Sequence, residues 1–315
     1  MRLPVFLILL CHLAATGWLI PRVISRAAWV EVRPRMGLRA LHTTVAAHLA
    51  GMLVLGGLAA HDAVEQAMIW LLHADKSRLH NAYAGDQAID PAWDLAILLV
   101  GALVLSLGIS ALREARRVRR ARRGYLLLCS SRQRPDLDAT VIDNDAPAVW
   151  CLPLRRDGRI FVTTAALEVL APDELGAAIE HERAHLGRHH HRMVFAADTI
   201  VRVVRTYGAL RSYPSVVRHL VELDADDMAV RRTSRRVLAA ALLHLGELAA
   251  GRSTVAGLAM NETSMSRRIR RLVDESPTRV SRFSTTVVLT AAATAVVIPP
   301  ALVFLPALVL AGTGH

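Results

Sequence analysis

Four long apolar stretches constrain the fold of this 315-residue chain more than any other feature of its sequence. They lie at about 3–20, 43–60, 93–112 and 286–311. Each is long enough to cross a bilayer as a helix, which takes about 20 residues. Hydrophobic residues make up 53% of the chain, and its mean hydropathy is +0.34. The sequence therefore predicts a multi-pass membrane protein with four transmembrane helices.

The first apolar stretch has a second interpretation, as a cleaved signal peptide. Only Arg2 precedes it, and no A-x-A cleavage site closes it. A lipoprotein cleavage box would need a small residue before Cys11, where Leu10 stands. We therefore interpret 3–20 as a retained helix. Two histidines inside the first two stretches are predicted to be satisfied packing residues at a helix–helix contact, namely His12 and His48.

The distribution of arginine predicts the orientation of the chain in the membrane. The formal net charge is +11, and Lys76 is the only lysine. Arginine is frequent in the loop 21–40 and in the region 113–285, whereas acidic residues outnumber basic ones in 61–92. Because basic segments stay on the cytoplasmic side, we expect 21–40 and 113–285 in the cytoplasm. Both termini would then lie outside the plasma membrane.

The arginine-rich run REARRVRRARR occupies residues 113–123. Such a run could be a nucleic-acid patch, but it contains no aromatic residue to stack on bases and directly follows an apolar stretch. We interpret it as a segment that contacts anionic lipid head groups. The lipid bilayer is thus an expected partner, and direct binding of nucleic acid is not expected.

The chain is predicted to have three parts. Residues 1–112 form a membrane region with three helices, 113–285 form a cytoplasmic domain, and 286–315 hold the fourth helix and a short outer tail. Short β-like runs separated by turn residues predict a small antiparallel sheet in the cytoplasmic domain. These runs lie at 125–131, 139–143, 148–154 and 159–164.

Helices are expected to dominate the rest of the cytoplasmic domain. Pro172, followed by Asp173 and Glu174, is typical of a helix start. Further helices are predicted at about 215–233, 237–251 and 264–276. The fold class is accordingly α+β, with a mainly helical domain carrying the small sheet.

The most informative segment is IEHERAHLGRHHHR, at 179–192. His181 and His185 are four residues apart, so their imidazoles project from the same helix face one turn apart. This spacing lets two ring nitrogens reach one Zn²⁺ at about 2.0–2.1 Å. Glu182 lies at the flank of that face, where it can hold a water molecule. H-E-x-x-H is the pattern of zinc peptidases in which the glutamate is the general base.

A catalytic zinc needs a third protein ligand. We predict Glu222, in the segment ELDAD, with Asp226 one turn later and placed to accept a hydrogen bond from a ligand imidazole. The rival is His191, ten residues after His181, as in the motif H-E-x-x-H-x-x-G-x-x-H. That motif needs a glycine at position 188 to break the helix, and this chain has Arg188. We therefore favour Glu222.

The remaining polar residues near these segments are predicted to have no part in the chemistry. The three histidines 189–191 would form a solvated or lipid-facing basic patch. Asp224 and Asp227 would be surface charges or pair along their helix. The scattered cysteines show no disulfide or C-x-x-C pattern and are expected to be small buried groups. They are Cys11, Cys129 and Cys151.

The path IFVTTAALEVLAPDELGAAIEHERAH, then ELDADDMA, ALLHL and RRIRRLV, resembles the integral-membrane gluzincin metallopeptidases. These include the CAAX prenyl proteases, the HtpX-type quality-control proteases and the BlaR/MecR-type signal-transducing peptidases. The predicted topology is most similar to the BlaR/MecR type. The resemblance implies one Zn²⁺ per chain held by His181, His185 and Glu222. It also implies that Glu182 is the catalytic glutamate and that Asp226 is the aspartate that supports a ligand histidine.

The resemblance implies a membrane-embedded zinc endopeptidase that cleaves a cytoplasmic protein, namely a DNA-binding repressor in an antirepressor pathway. The substrate is expected to lie along RIFVTT, at 159–164. The alternatives are a quality-control protease of HtpX type and a non-catalytic receptor with a degenerate peptidase domain. The chain departs from the BlaR/MecR type in lacking S-x-x-K and K-T-G motifs. No direct β-lactam sensor domain is therefore expected.

Overall fold

The computed structural model describes residues 2–72, 91–128, 131–153, 158–203, 210–250 and 265–274, with scattered positions between 286 and 301. Over these residues the chain is mainly helical and carries one small sheet. The fold class is thus α+β as predicted, although the fourth apolar stretch lies largely outside the described residues.

The N-terminal part consists of apolar helices. Within the described residues, two segments are long and apolar enough to cross a membrane, Val5–Arg26 and Pro34–Ala59, with mean hydropathies of 1.8 and 1.4. They contain most of the first two predicted stretches and suggest membrane association. The elements here are α1 (Arg2–Ala14), a π-helical turn (Ala15–Leu19), α2 (Ile20–Arg26), α3 (Ala28–Val32) and α4 (Pro34–Leu72).

Helix α4 contacts α1 and the π-helical turn after it through polar side chains. His12 Nε2 lies 3.0 Å from the carbonyl oxygen of Ala47, and the Thr16 hydroxyl lies 3.1 Å from His48 Nδ1. Gly51 permits the close approach, because a Cβ there would lie 2.6 Å from the His12 ring. His12 and His48 are therefore packing residues at a helix–helix contact, as predicted.

The third predicted stretch lies in a long helix, α5 (Pro91–Leu128). This helix continues from the apolar stretch through the arginine-rich run without a break. The first predicted strand, 125–131, was therefore wrong over 125–128, which are helical. The helix also crosses the boundary expected at 112–113, so it joins the apolar region directly to the domain that follows.

Within the described residues, four strands form a mixed sheet in the order β1-β2-β4-β3. The outer pairs are antiparallel, but β2 and β4 are parallel, so the predicted antiparallel sheet was wrong in its centre. The reason is the position of β3, which does not pair with β2 and lies at the edge of the sheet. Strand β4 then returns between β2 and β3, antiparallel to β3 and parallel to β2. The strands are β1 (Ser131–Arg134), β2 (Ala139–Ile142), β3 (Val149–Leu152) and β4 (Arg159–Thr163).

Helices cover the sheet and continue beyond it. Helix α7 begins at Pro172 with Asp173 and Glu174 in its first turn, as predicted. Its buried Leu175 and Ile179 pack with the β4 side chains and with α10. The helices are α6 (Thr164–Val169), α7 (Pro172–Gly187), α8 (His190–Val203), α9 (Tyr213–Ala229) and α10 (Arg235–Ala250), followed by a helical segment at 265–273.

Helix α9 packs between the N-terminal helices on one side and α7 on the other. Its buried Val217 and Leu220 belong to the same core as Trp29 and Leu41 of the N-terminal helices. Burying such side chains stabilises the packing by about 1.5–3 kcal/mol each. The N-terminal helices therefore fix one side of α9, and the polar side of α9 faces α7.

Candidate metal centre

Helix α7 presents the two histidines of HERAH on one face. His181 is buried, with 6% of its surface exposed, and its Nε2 lies 3.1 Å from His185 Nε2. The α-helical repeat produces this arrangement, because side chains four residues apart lie one turn apart on one face. The two imidazoles therefore aim at the same point.

Helix α9 brings a carboxylate to that point. Glu222 Oε2 lies 3.4 Å from His181 Nε2, and Glu222 Oε1 lies 3.5 Å from His185 Nε2. Ligands at 2.0–2.1 Å from a tetrahedral Zn²⁺ are about 3.4 Å from one another. The three groups, whose ligand atoms all lie within 4.8 Å of one another, thus have the spacing and the chemistry of a zinc ligand set.

The rival ligand His191 does not join this set, which among the described residues consists of His181, His185 and Glu222. The helix does break as the H-E-x-x-H-x-x-G-x-x-H motif requires, but without its glycine. His189 adopts a left-handed backbone with φ 54° between α7 and α8. This turn directs His190, rather than His191, toward the metal ligands.

Asp226 stands behind His181. Its Oδ1 lies 3.0 Å from His181 Nδ1, and the residue is fully buried. Burial opposes its ionisation, but contacts with Arg268 and His181 outweigh burial and hold the pKa of Asp226 well below its usual range. An ionised carboxylate at this position favours the tautomer of His181 that carries its proton on Nδ1. The lone pair of Nε2 can then bind a metal.

Arg268, in the helical segment 265–273, contacts two of the carboxylates of α9, Asp226 and Glu222. Its Nε and Nη2 donate to Asp226 at 2.8 and 2.7 Å, and its Nη1 lies 2.9 Å from Glu222 Oε2. Removing one partner of such a buried ion pair typically costs about 3–5 kcal/mol. Arg268 could not be identified from the sequence, because Arg267 and Arg270 beside it are also arginines and only the fold buries one of the three.

The electrostatics of the ligands suit a metal. Burial and the neighbouring His181 lower the pKa of His185 to about 3, so this imidazole is neutral. Burial opposes protonation of His181, but Asp226 and Glu222 raise its pKa to about 9. Metal binding at His181 would therefore displace a proton, as expected for a ligand that must be neutral when it binds.

Glu182 flanks the ligand set and is not part of it. Burial raises the pKa of Glu182, an effect that the neighbouring His181 opposes. Burial and then the Glu182 carboxylate raise the pKa of the Cys151 thiol, which therefore stays protonated and contacts that carboxylate. Cys151 is thus not the small buried group expected: it is half-buried, and strand β3 places it beside the candidate base.

The middle histidine of the HHH run, His190, does not belong to the predicted basic patch. The predicted basic patch was wrong at His190, which is only 1% exposed. Its Nδ1 lies 3.0 Å from His185 Nδ1, and its Nε2 lies 3.1 Å from Asp224 Oδ2. Asp224 is also buried, so the prediction of a surface charge there was wrong too, whereas Asp227 pairs with Arg271 at 2.7 Å.

Cavities flank the ligand set on both sides. One, of about 540 Å³, is lined by Glu182, His185 and Glu222 and reaches Glu114 in α5. Another, of about 220 Å³, is lined by Glu182 and Glu222 and by apolar residues of α10. Strand β3 borders both, since its Val149 lines the smaller one and Trp150 and Cys151 line the larger.

Comparison with known proteins agrees with this geometry. Residues 114–251 match the model of Peptidase family M48, whose members are generally zinc-dependent. No curated protein and no solved structure matches the chain. The matched segment contains HERAH and ELDAD, so the family match supports an M48-family metallopeptidase. It does not extend to the features specific to the BlaR/MecR type.

Proposed function

We propose that this chain is a membrane-embedded zinc endopeptidase that cleaves a cytoplasmic protein. The observation that carries the proposal is the set of three ligand atoms, from His181, His185 and Glu222, at the spacing of a tetrahedral zinc site and beside the half-buried Glu182. One Zn²⁺ per chain would bind there. A degenerate, non-catalytic domain would have no reason to keep the ligands, the flanking base and the supporting Asp226 together.

The proposed chemistry divides between the metal and Glu182. A bound Zn²⁺ supplies Lewis acidity, which acidifies water and polarises a carbonyl group. Glu182 takes the proton from the attacking water and later delivers it to the leaving amine. Burial raises the pKa of Glu182, and a carboxylate with a raised pKa is a stronger base near neutral pH.

We propose that the substrate binds to β3, not to the β4 segment expected from the sequence. Strand β4 is interior, paired with β2 on one side and β3 on the other. Strand β3 is at the edge and pairs only with β4 among the described residues. An extended peptide can add a strand to such an edge through main-chain hydrogen bonds.

The register indicates which backbone groups of β3 point away from β4, although the Cys151 amide among them already contacts Glu182. The Thr163 amide donates to the Ala148 carbonyl, and Val149 is paired with Val162. Because hydrogen-bonded pairs alternate along an antiparallel ladder, the amides of Val149 and Cys151 face away from β4. Proline is tolerated at an edge position whose N–H points outward.

Replacing Val149 by proline is therefore expected to preserve the sheet and weaken substrate binding. A peptide carbonyl left without its donor costs about 1–3 kcal/mol, and we expect about a tenfold fall in kcat/KM. The matched control is Val149→Ala, which shortens the side chain and keeps the amide. Peptide cleavage and circular dichroism of both variants measure the effect. Equal cleavage by the two variants would show that the substrate does not pair with β3.

The membrane topology is part of the proposal. Three apolar helices would precede the peptidase domain and a fourth would follow it, with 113–285 in the cytoplasm and both termini outside. The two N-terminal apolar helices and the direct continuation of the third stretch into the arginine-rich run support this arrangement. By resemblance to the BlaR/MecR topology, the substrate would be a DNA-binding repressor whose cleavage releases transcription.

A second candidate function is quality control of membrane proteins, of HtpX type. The larger cavity favours it, because this cavity leads from Glu182 to Glu114, two residues beyond the end of the third apolar stretch. A membrane-anchored chain could enter the site from that side. The two candidates share the chemistry and differ only in the substrate.

Comparison of cleavage products in cells separates these candidates. We expect cells with the intact protein to accumulate one cleaved DNA-binding regulator that is absent from cells with Glu182→Gln. N-terminal peptide profiling of both strains measures this difference. Many cleaved membrane proteins would favour quality control, and identical profiles would contradict both functions.

A further inference from the structure

A continuous chain of polar contacts runs from the second histidine of HERAH into the protein interior. His185 Nε2 faces His181 and Glu222, and its other nitrogen, Nδ1, lies 3.0 Å from His190 Nδ1. His190 Nε2 lies 3.1 Å from Asp224 Oδ2. His190 and Asp224 are buried, with exposed fractions of 1% and 6%. The order of the chain is therefore His185, His190, Asp224.

The hydrogen-bonding capacity of each group determines which one donates and which one accepts in these contacts. Asp224, as a carboxylate, only accepts hydrogen bonds, so His190 donates to it from Nε2. In a neutral imidazole the other nitrogen is then an acceptor, which leaves His190 Nδ1 to accept from the Nδ1–H of His185. His185 is thus held as the tautomer whose Nε2 lone pair points at the position shared with His181 and Glu222.

The first histidine, His181, is oriented in the same way, but by a single direct contact. Asp226 contacts His181 Nδ1 directly at 3.0 Å. Asp224 and Asp226 both belong to α9, which also carries Glu222. His185 is one helical turn further along α7, and the left-handed turn at His189 places the His190 imidazole between His185 and Asp224. Helix α9 therefore supports both histidines, one directly and one through His190.

We propose that His190 and Asp224 are positioning residues that orient His185 for metal binding, an inference that rests on the proposed zinc site. Contacts behind a metal ligand of this kind fix the ring and increase the basicity of the ligating nitrogen. The competing explanation is a buried pair that contributes only to folding. A folding pair would affect the stability of the metal-free protein and leave its affinity for metal unchanged.

Zinc affinity of the purified full-length protein tests the proposal. Competition with a chromogenic chelator is measured for wild type, His190→Ala, Asp224→Asn and the neighbouring control His191→Ala. Losing a contact behind a ligand typically weakens metal binding about 10- to 100-fold, and we expect this for the first two variants. His191→Ala should bind zinc as wild type does, because His191 lies outside the ligand set.

Two further variants test that the contacts act in sequence. In His190→Gln, the amide can accept from His185 and donate to Asp224, so affinity should recover at least in part. If Asp224 acts through His190, the double variant His190→Ala/Asp224→Asn should bind zinc no more weakly than His190→Ala alone. The visible absorption of the Co²⁺-loaded proteins should change in His190→Ala and return toward wild type in His190→Gln.

The outcomes separate this inference from the proposed function. Wild-type protein that binds no zinc would overturn both. Zinc-binding wild type with unchanged affinity in His190→Ala and Asp224→Asn would overturn only the inference. The thermal midpoint of each metal-free variant shows whether it is folded. Should His190→Ala fail to fold, Asp224→Asn and His190→Gln still decide the result, since an affinity loss in the former that is absent in the latter supports the chain.

Discussion

Glu182→Gln should abolish peptide cleavage and leave zinc binding intact. The glutamine has nearly the same shape but cannot accept a proton from water, and a positioned general base contributes about 10²- to 10⁴-fold to the rate. Glu182 lies outside the ligand set of His181, His185 and Glu222, so the variant should keep the metal. Cleavage of a peptide substrate and metal content, measured on the same purified sample, give both quantities.

A matched control for this substitution exists on the same helix. Glu180 is two residues upstream and pairs with Arg183 and Arg232, away from the ligand atoms. Glu180→Gln should therefore retain cleavage close to that of wild type. Full cleavage by Glu182→Gln would remove this residue from the chemistry, and loss of zinc from the variant would place its carboxylate among the ligands.

Glu222→Ala should remove zinc from the protein. Loss of a contact behind a ligand weakens metal binding about 10- to 100-fold, and loss of one of three ligands should exceed that. The same change leaves Arg268 with Asp226, to which it donates at 2.8 and 2.7 Å, so the fold has a charge partner left for this buried arginine. Zinc titration of the metal-free protein measures the affinity, and circular dichroism confirms the helical fold.

Asp227→Ala is the control for this second change. Asp227 lies on the same helix but pairs with Arg271, and should be replaceable without a change in zinc affinity. Zinc retained at full occupancy in Glu222→Ala would contradict the proposed ligand set. Zinc retained there but lost in His191→Ala would identify the rival ligand, as in the H-E-x-x-H-x-x-G-x-x-H motif.

Local features of the site could be predicted because they depend on helical geometry alone. The spacing of His181 and His185 places both imidazoles on one face whatever surrounds the helix. Pro172 starts α7 because its fixed φ suits the first helical turn and its missing amide proton is not needed there. Glu222 and Asp226 follow the same four-residue rule, and the structure places them against His181.

Other features could not be predicted because they depend on where distant segments meet. The sequence indicated the β-like runs but not that β4 lies between β2 and β3, so it pointed to the wrong edge strand. The HHH run gave no signal that His190 is buried, since its position depends on the left-handed residue His189, which separates α7 from α8. In the sequence, Arg268 cannot be distinguished from its arginine neighbours. In the structure, the packing of 265–273 against α7 and α9 buries its guanidinium.

The amino-acid sequence alone was sufficient to predict the candidate site and the apolar stretches: segments long enough to cross a membrane, a pair of histidines that could bind a metal, and a glutamate beside them. These follow from hydropathy and from the repeat of a single helix, which act over a few neighbouring residues. The strand order, the His185–His190–Asp224 chain and the burial of Arg268 arose from the fold. They join residues up to 87 positions apart, and only close packing selects which polar groups must satisfy one another.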